Sequence, residues 1–324
     1  MNNVRTELYQ LTQEELLLKV KDELTEADIS FKEDKYGNIW SFNHKDRPAF
    51  VAHCDTVIGG DEKYKIPVEI DKGIMIRPNT VLGADDRAGV NLILNHKESI
   101  NFILTKDEEI GCLGAKFMSK NKEFIDDCNE ITWFCELDRR NGKDILGNTH
   151  GYCSKDLVEA LNIVLPNHKD VSGVFTDIDE FIDISQGVNL SVGYYNAHTI
   201  REYLDIEEFE YINSKILEIS EIDGFKEKYD KPINKRSYYN IYDDIDSCEF
   251  CGLVSRKVRY FSGVKMCPDC LEDYYPVLYP EDNNPIRCDV CSNLITENEK
   301  KYVIKGWDAI LCQHCVEVKY LWRI

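Results

Sequence analysis

Eight of the thirteen cysteines fall in four CxxC pairs after residue 247, and this pattern constrains the fold more tightly than any other local feature. "CEFC" (Cys248, Cys251) and "CPDC" (Cys267, Cys270) stand 15 residues apart; "CDVC" (Cys288, Cys291) and "CQHC" (Cys312, Cys315) stand 20 apart. Each CxxC wraps a tight turn around one ion, and two such turns complete a tetrahedron. The spacing predicts two small modules, each closed on a structural zinc by four thiolates. Domains this short bury too little apolar surface to fold unaided and need such a staple. A crossed pairing between the modules stays open, and a disulfide or redox role is the weaker alternative in a reducing compartment. The other five cysteines (Cys54, Cys112, Cys128, Cys135, Cys153) are scattered and read as small buried hydrophobes.

The chain of 324 residues carries a formal net charge of −20, which argues against coating nucleic acid or lying on an anionic membrane. From Arg236 onward 11 Lys and Arg face 14 Asp and Glu, leaving about −17 to the first 235 residues. No apolar run approaches the ~20 residues of a membrane span. The opening "MNNVRTELYQLTQEELLLKV" reads as an amphipathic helix rather than a signal peptide, so a cytoplasmic location is expected.

Before residue 235, β-rich runs alternate with helical patterns, predicting an α/β fold with a mixed central sheet covered by helices. Expected strands are "NIWSF", "AFVAHCDTV", "NFILTK", "EITWFCEL" and "VNLSVGYY", with a hairpin in "EKYKIPVEIDKGIMIRPN". Helices are expected over residues 6–23, 86–96, 114–119, 154–165 and 200–222. A polar, tyrosine-rich linker over 226–246 leads to the cysteine modules. The resulting division is 1–235, the α/β domain, then 236–280 and 281–324, one zinc module each.

Within the first domain, several strand ends carry an imidazole or a carboxylate. His53 and Asp55 share one face of a strand. Asp85 and Asp86 enter a helix in "GADDRAG"; Glu108 and Glu109 follow a strand in "DEEIGCLGA"; Asp138 ends another in "ELD"; His198 follows in "NAHT". In open α/β sheets, ligands bind beyond the carboxyl ends of the strands. Such a donor set suits zinc or a similar divalent ion. Each element alone also has an ordinary reading: a hydrogen-bonded strand histidine, a capped helix start, a solvated charge run.

Taken in order, "HCD", "GADDRAG", "DEEIGCLGA", "ELD" and "NAHT" resemble the zinc-dependent aminopeptidase and deacylase superfamily, over roughly residues 53–208. The resemblance implies two co-catalytic zinc ions. His53 and Asp138 would bind the first, Glu109 and His198 the second, and Asp85 would bridge them. Asp55 would support His53, Glu108 would be the general base, and Asp86 would be structural. The implied activity is removal of N-terminal residues from peptides; an amide deacylase of a modified small molecule is the alternative. Only 59 residues separate Asp138 from His198, too few for the lid domain of many relatives, so the compact branch is the better analogue.

Asp177, Asp179 and Glu180 in "GVFTDIDEF" are candidates for a substrate pocket or for an exposed acidic turn. His150 is a candidate substrate contact, and Arg139 and Arg140 could meet a substrate carboxylate or balance the acidic site. The cysteine modules resemble zinc ribbons or LIM-like modules and are expected to bind a protein partner, self-associate or brace the core. "SRKVRYFSGVK" mixes basic and aromatic residues, but a charged hairpin surface is favoured over nucleic-acid binding. A third reading, from another class, is a zinc-module adaptor whose hydrolase fold is inactive.

Overall fold

Side chains along a strand alternate between faces, so an unbroken apolar run such as "AFVAHC" must be covered on both sides. The computed structural model describes residues 3–58, 60–173 and 176–225, and the backbone of six short strands between 246 and 312. The chain divides into two units, Met1–Pro232 and Ile233–Ile324.

In the first unit the strands are β1 (Lys32–Glu33), β2 (Ile39–Ser41), β3 (Arg47–His53), β4 (Glu69–Asp71), β5 (Ile74–Ile76) and β6 (Asn101–Thr105). They continue with β7 (Ile131–Arg139), β8 (Asp144–Leu146), β9 (Lys169–Val171), β10 (Gly187–Ser191), β11 (Tyr194–Tyr195) and β12 (Tyr203–Asp205). The helices are α1 (Gln13–Glu26), α2 (Asp61–Tyr64), α3 (Ala84–His96), α4 (Leu113–Met118), α5 (Lys122–Asp127), α6 (Lys155–Val164), α7 (Ile178–Phe181) and α8 (Ile206–Ser220). The main sheet runs β1-β2-β6-β3-β7-β10-β8-β9. Its centre, β6-β3-β7-β10, is parallel, while β2 and β8 join antiparallel, so the sheet is mixed as expected. A smaller antiparallel sheet runs β11-β12-β5-β4.

Strand parity sorts the core into two layers. Phe50, Ala52, Phe102, Leu104, Trp133 and Cys135 join α1, α3, α6 and α8 on one face. Ala49, Val51, Ile103 and Phe134 join Met118, Phe124 and Phe181 of α4, α5 and α7 on the other. Each such large side chain contributes roughly 1.5–3 kcal/mol on burial. Cys54 falls in the first layer, as its position between His53 and Asp55 requires.

Three boundaries differ from expectation, each for a local reason. The helix expected over 6–23 is a 3-10 turn, Thr6–Gln10, followed by α1. Thr12 restarts it: its hydroxyl accepts from Glu15 N–H, while the Glu15 carboxylate accepts from Thr12 N–H at 2.9 Å, a reciprocal capping box. The helix expected over 200–222 begins only at Ile206, because Asp205 caps it by accepting from Glu208 N–H at 3.1 Å and β12 precedes it. "VNLSVGYY" is not one strand. Gly193, at φ +91°, turns the chain out of β10 into β11 of the smaller sheet. His198 therefore follows β11 and does not end a strand of the main sheet.

In the second unit the described backbone forms three antiparallel pairs. They are β13 (Asp246–Ser247) with β14 (Val254–Ser255), β15 (Arg259–Phe261) with β16 (Val264–Met266), and β17 (Lys301–Val303) with β18 (Ile310–Cys312). The β15–β16 pair takes in Arg259–Phe261, Val264 and Lys265 of "SRKVRYFSGVK" and runs one residue past it, to Met266. Cys312 is described as backbone only; Cys248, Cys251, Cys267, Cys270, Cys288, Cys291 and Cys315 lie outside the described residues. Among the described residues, no helix is long and apolar enough to cross a membrane.

Candidate metal centre

Parallel strands present their carboxyl ends on one side, and β3, β6 and β7 each deliver a polar group there. His53 is the last residue of β3, Glu108 and Glu109 follow β6, and Asp138 lies at the end of β7. Asp85 enters from the start of α3, and the Asp85–Asp86 peptide is cis. His198 arrives from the loop after β11 with φ +68°, left-handed backbone that non-glycine residues seldom adopt outside constrained sites.

The two oxygens of Asp85 reach two different imidazoles. Oδ1 lies 3.0 Å from His53 Nε2, and Oδ2 lies 3.1 Å from His198 Nε2. Asp138 Oδ1 is 3.7 Å from the same His53 nitrogen, and Glu109 Oε1 is 2.9 Å from the same His198 nitrogen. Glu108 Oε2 stands 4.0 Å from His53 Nε2. Two ligand atoms about 2.1 Å from one ion at the tetrahedral angle would stand ~3.4 Å apart, and these separations straddle that value. Glu109 Oε1 is buried and takes no hydrogen bond despite its closeness to His198, as expected of two donors aimed at a common third body.

Electrostatics point the same way. Burial, reinforced by Asp138, Asp177 and Glu109, pushes Glu108 well above the usual carboxylate range, against the pull of His53. Burial and the nearby Asp85 push Asp138 up to about 7. Burial also works against Asp85, yet His198 and His53 hold it well below its ordinary value. Burial would depress His53, but Asp138, Asp55 and Asp85 raise it well above the ordinary imidazole value. Crowded buried carboxylates around two imidazoles are stabilised by a dication, so the residues present fit a divalent metal.

Asp55, expected to support His53, meets three groups. Its Oδ1 is 3.2 Å from His53 Nδ1 and accepts from Glu108 N–H at 3.0 Å; its Oδ2 accepts from Glu109 N–H at 3.0 Å. One carboxylate thus meets the His53 ring and the backbone bearing two neighbouring glutamates. Asp86 is buried and accepts from Gly89 N–H at 2.9 Å and His53 N–H at 3.2 Å, although it also lies within one candidate group with His53 and Asp138.

The remaining candidates are placed elsewhere. Asp177 is buried behind the centre, its carboxylate accepting from the Thr105 hydroxyl at the end of β6. Asp179 accepts from Tyr152 O–H and from Thr176 N–H at 2.9 Å, bracing α7, and Glu180 is half-buried on that helix. His150 Nδ1 accepts from Gly173 N–H at 3.2 Å, and its ring meets Tyr152 edge-on. Arg139 faces Asp144 at 3.8 Å, and Arg140 O accepts from the Ser191 hydroxyl at 2.7 Å.

Two buried residues at the centre escaped the sequence reading. Tyr194 O–H donates to Asp138 Oδ1 at 2.9 Å. Glu202 accepts from Gly83 N–H at 2.8 Å and Asp85 N–H at 3.1 Å. Glu202 stands four residues after His198 in "HTIRE", and that proximity to a candidate ligand is the one signal that could have flagged it.

No family model matches the sequence, and no curated protein matches it. Solved structures do resemble it. Aminopeptidase PepT from Bacillus cereus ATCC 10987 is similar at 17% identity, over 66% of this chain and 95% of that one, with a TM-score of 0.56. Aminopeptidase APDkam598 from the archaeon Desulfurococcus kamchatkensis is similar at 13% identity, over 71% and 97%, with a TM-score of 0.52. The TET1 peptidase of Pyrococcus horikoshii, which can assemble into a tetrahedron or a large octahedral shell, is similar at 16% identity, over 64% and 94%, with a TM-score of 0.51. At these identities the likeness is one of fold: a mixed central sheet flanked by helices.

Proposed function

We propose that this chain is a metal-dependent peptidase of the compact aminopeptidase type, working with two divalent ions, zinc by preference of its donors. The observation that carries the reading is the Asp85 carboxylate, which faces His53 with one oxygen and His198 with the other. That is the arrangement a bridging ligand needs. The fold shared with PepT and the Desulfurococcus aminopeptidase supports a peptide substrate.

In this reading His53, Asp138 and Asp85 hold one ion, and Asp85, Glu109 and His198 the other. When bound, such ions supply Lewis-acid polarisation of a carbonyl and acidify a water. Glu108 takes the proton from the attacking water and returns it to the departing amine. Burial favours this role, since removing a carboxylate from water raises its affinity for the proton it must take up. Asp55 holds His53 in one tautomer, with Nδ1 as the donor and Nε2 free to ligate.

The eight C-terminal cysteines, in the modules 236–280 and 281–324, would hold two further, structural zinc ions and serve self-association or a protein partner. A cytoplasmic setting suits so many reduced thiolates.

Metal analysis of the full chain, combined with aminoacyl-anilide and N-acyl substrates, tests the proposal. Four ions per chain with anilide cleavage is the expected result. Hydrolysis of N-acyl substrates alone would make the chain a deacylase, and two ions without hydrolysis would make it an adaptor. Glu108→Gln should lower kcat by about 10²–10⁴-fold, the usual worth of general acid–base catalysis, with the ion count unchanged. Loss of ions together with activity would remove Glu108 from that role.

A further inference from the structure

We infer that Glu202 is a positioning residue that ties the Asp85 turn to the His198 turn and so sets the spacing of the second metal position. The inference rests on the metal-centre reading given above. Glu202 is 1% exposed, and each of its carboxylate oxygens accepts a backbone N–H from the same turn. Oε2 accepts from Gly83 at 2.8 Å and Oε1 from Asp85 at 3.1 Å.

The receiving side explains why an outside acceptor is needed. Gly83, at φ +77°, opens a turn in which Asp85 and Asp86 are non-helical, and the regular part of α3 follows with Asp86 accepting from Gly89 N–H at 2.9 Å. Buried backbone N–H groups in such an irregular turn need an acceptor from elsewhere, and Gly83 has no side chain to supply one. Glu202 brings the acceptor from a distant part of the chain.

The donating side is equally constrained. Thr199 N–H donates to Asn196 O at 3.3 Å, and Glu202 N–H donates to Thr199 O at 3.1 Å. His198 thus lies inside the first of two consecutive turns, at an unfavourable positive φ, and Glu202 closes the second. Glu202 ends this element, and the next residue begins β12, which pairs with both β5 and β11. The Asp85 backbone and the His198 backbone are therefore fastened through one carboxylate, while Asp85 Oδ2 and His198 Nε2 face each other at 3.1 Å. A carboxylate is required, because an amide offers one acceptor and turns an NH₂ group toward the second backbone N–H.

The test is titration of the metal-free full chain with Mn²⁺, read as free Mn²⁺ by electron paramagnetic resonance. Manganese prefers oxygen and imidazole donors over the thiolates of the C-terminal cysteines. Wild type should take up two ions. Glu202→Gln should weaken one of them about 10–100-fold, the usual effect of removing a ligand's supporting partner, with a melting temperature of the metal-free chain close to wild type. Leu161→Ala, a core truncation in α6, provides the baseline if Glu202→Gln also melts earlier. It should lower the melting temperature and leave Mn²⁺ affinity intact. Equal Mn²⁺ affinity in wild type and Glu202→Gln, or equal weakening in Leu161→Ala, would overturn the positioning role while leaving the metal centre standing. Absence of Mn²⁺ uptake by wild type would overturn both.

Discussion

Asp55 shows how much one side chain can organise. Its two oxygens meet the His53 ring and the backbone N–H groups of Glu108 and Glu109. Asp55→Asn keeps the size but leaves one accepting atom and a misdirected NH₂. We expect metal affinity to fall about 10–100-fold, measured by chelator competition, with both glutamates displaced together. At this scale the sequence is legible where the residues share a strand or a recurring motif. Strand parity alone places His53 and Asp55 together and sends Cys54 into the core. The order of motifs brings His53, Asp85, Glu108, Glu109, Asp138 and His198 within reach of each other. Glu202 and Tyr194 were not legible, because what they grip is fixed by tertiary closure: backbone N–H groups for Glu202 and an Asp138 oxygen for Tyr194. His150 and Asp177 were attractive by residue type, yet their partners are Gly173 and Thr105.

At the scale of elements, two motif glycines are positions of close approach. A Cβ on Gly89 would stand 2.5 Å from Asp86 Oδ1 and 2.6 Å from Leu137 O; one on Gly114 would stand 2.3 Å from Lys106 O. Gly114→Ala should therefore push α4 off β6 and cost about 1–3 kcal/mol, read from the urea midpoint of unfolding. An unchanged midpoint would mean that α4 shifts freely. Element boundaries were harder to foresee than element existence. Apolar periodicity continues across residues 6–23 and 200–222 whether or not the helix does, and only the caps at Thr12 and Asp205 reveal the break. Three-residue strands such as β8 and β9 carry too few residues for any period to register; β8 exists because β10 offers an edge, and β9 because β8 offers the next.

Across the whole first unit, charge ties distant segments together. Glu23 on α1 pairs with Arg5 at 2.5 Å and approaches Lys97, beyond α3, at 3.6 Å. Burial works against its ionisation, but the Arg5 guanidinium prevails and holds Glu23 down to about 2. A depressed folded value means that the stabilisation is complete above the ordinary value of 4.5 and is lost as pH falls toward 2. Glu23→Gln should cost about 1 kcal/mol at neutral pH, after allowance for solvent screening, and flatten the acid limb of the stability profile. A parallel acid limb in wild type and variant would refute the pairing. Chelation should act more broadly, lowering the melting temperature by exposing Asp85, Asp138, Glu108 and Glu109 to one another without a neutralising ion; a melting curve indifferent to chelator would contradict this.

The order of the candidate ligands along the chain carries a consequence for assembly. A chain leaving the ribosome displays His53, Asp85, Glu109 and Asp138 long before His198. That last histidine is anchored only when β12 pairs with β5, a contact between distant segments and so a late one. On the proposed function, a half-folded copy would hold most of the candidate ligands without a complete second metal position, so metal uptake at that position would follow closure of the smaller sheet rather than precede it.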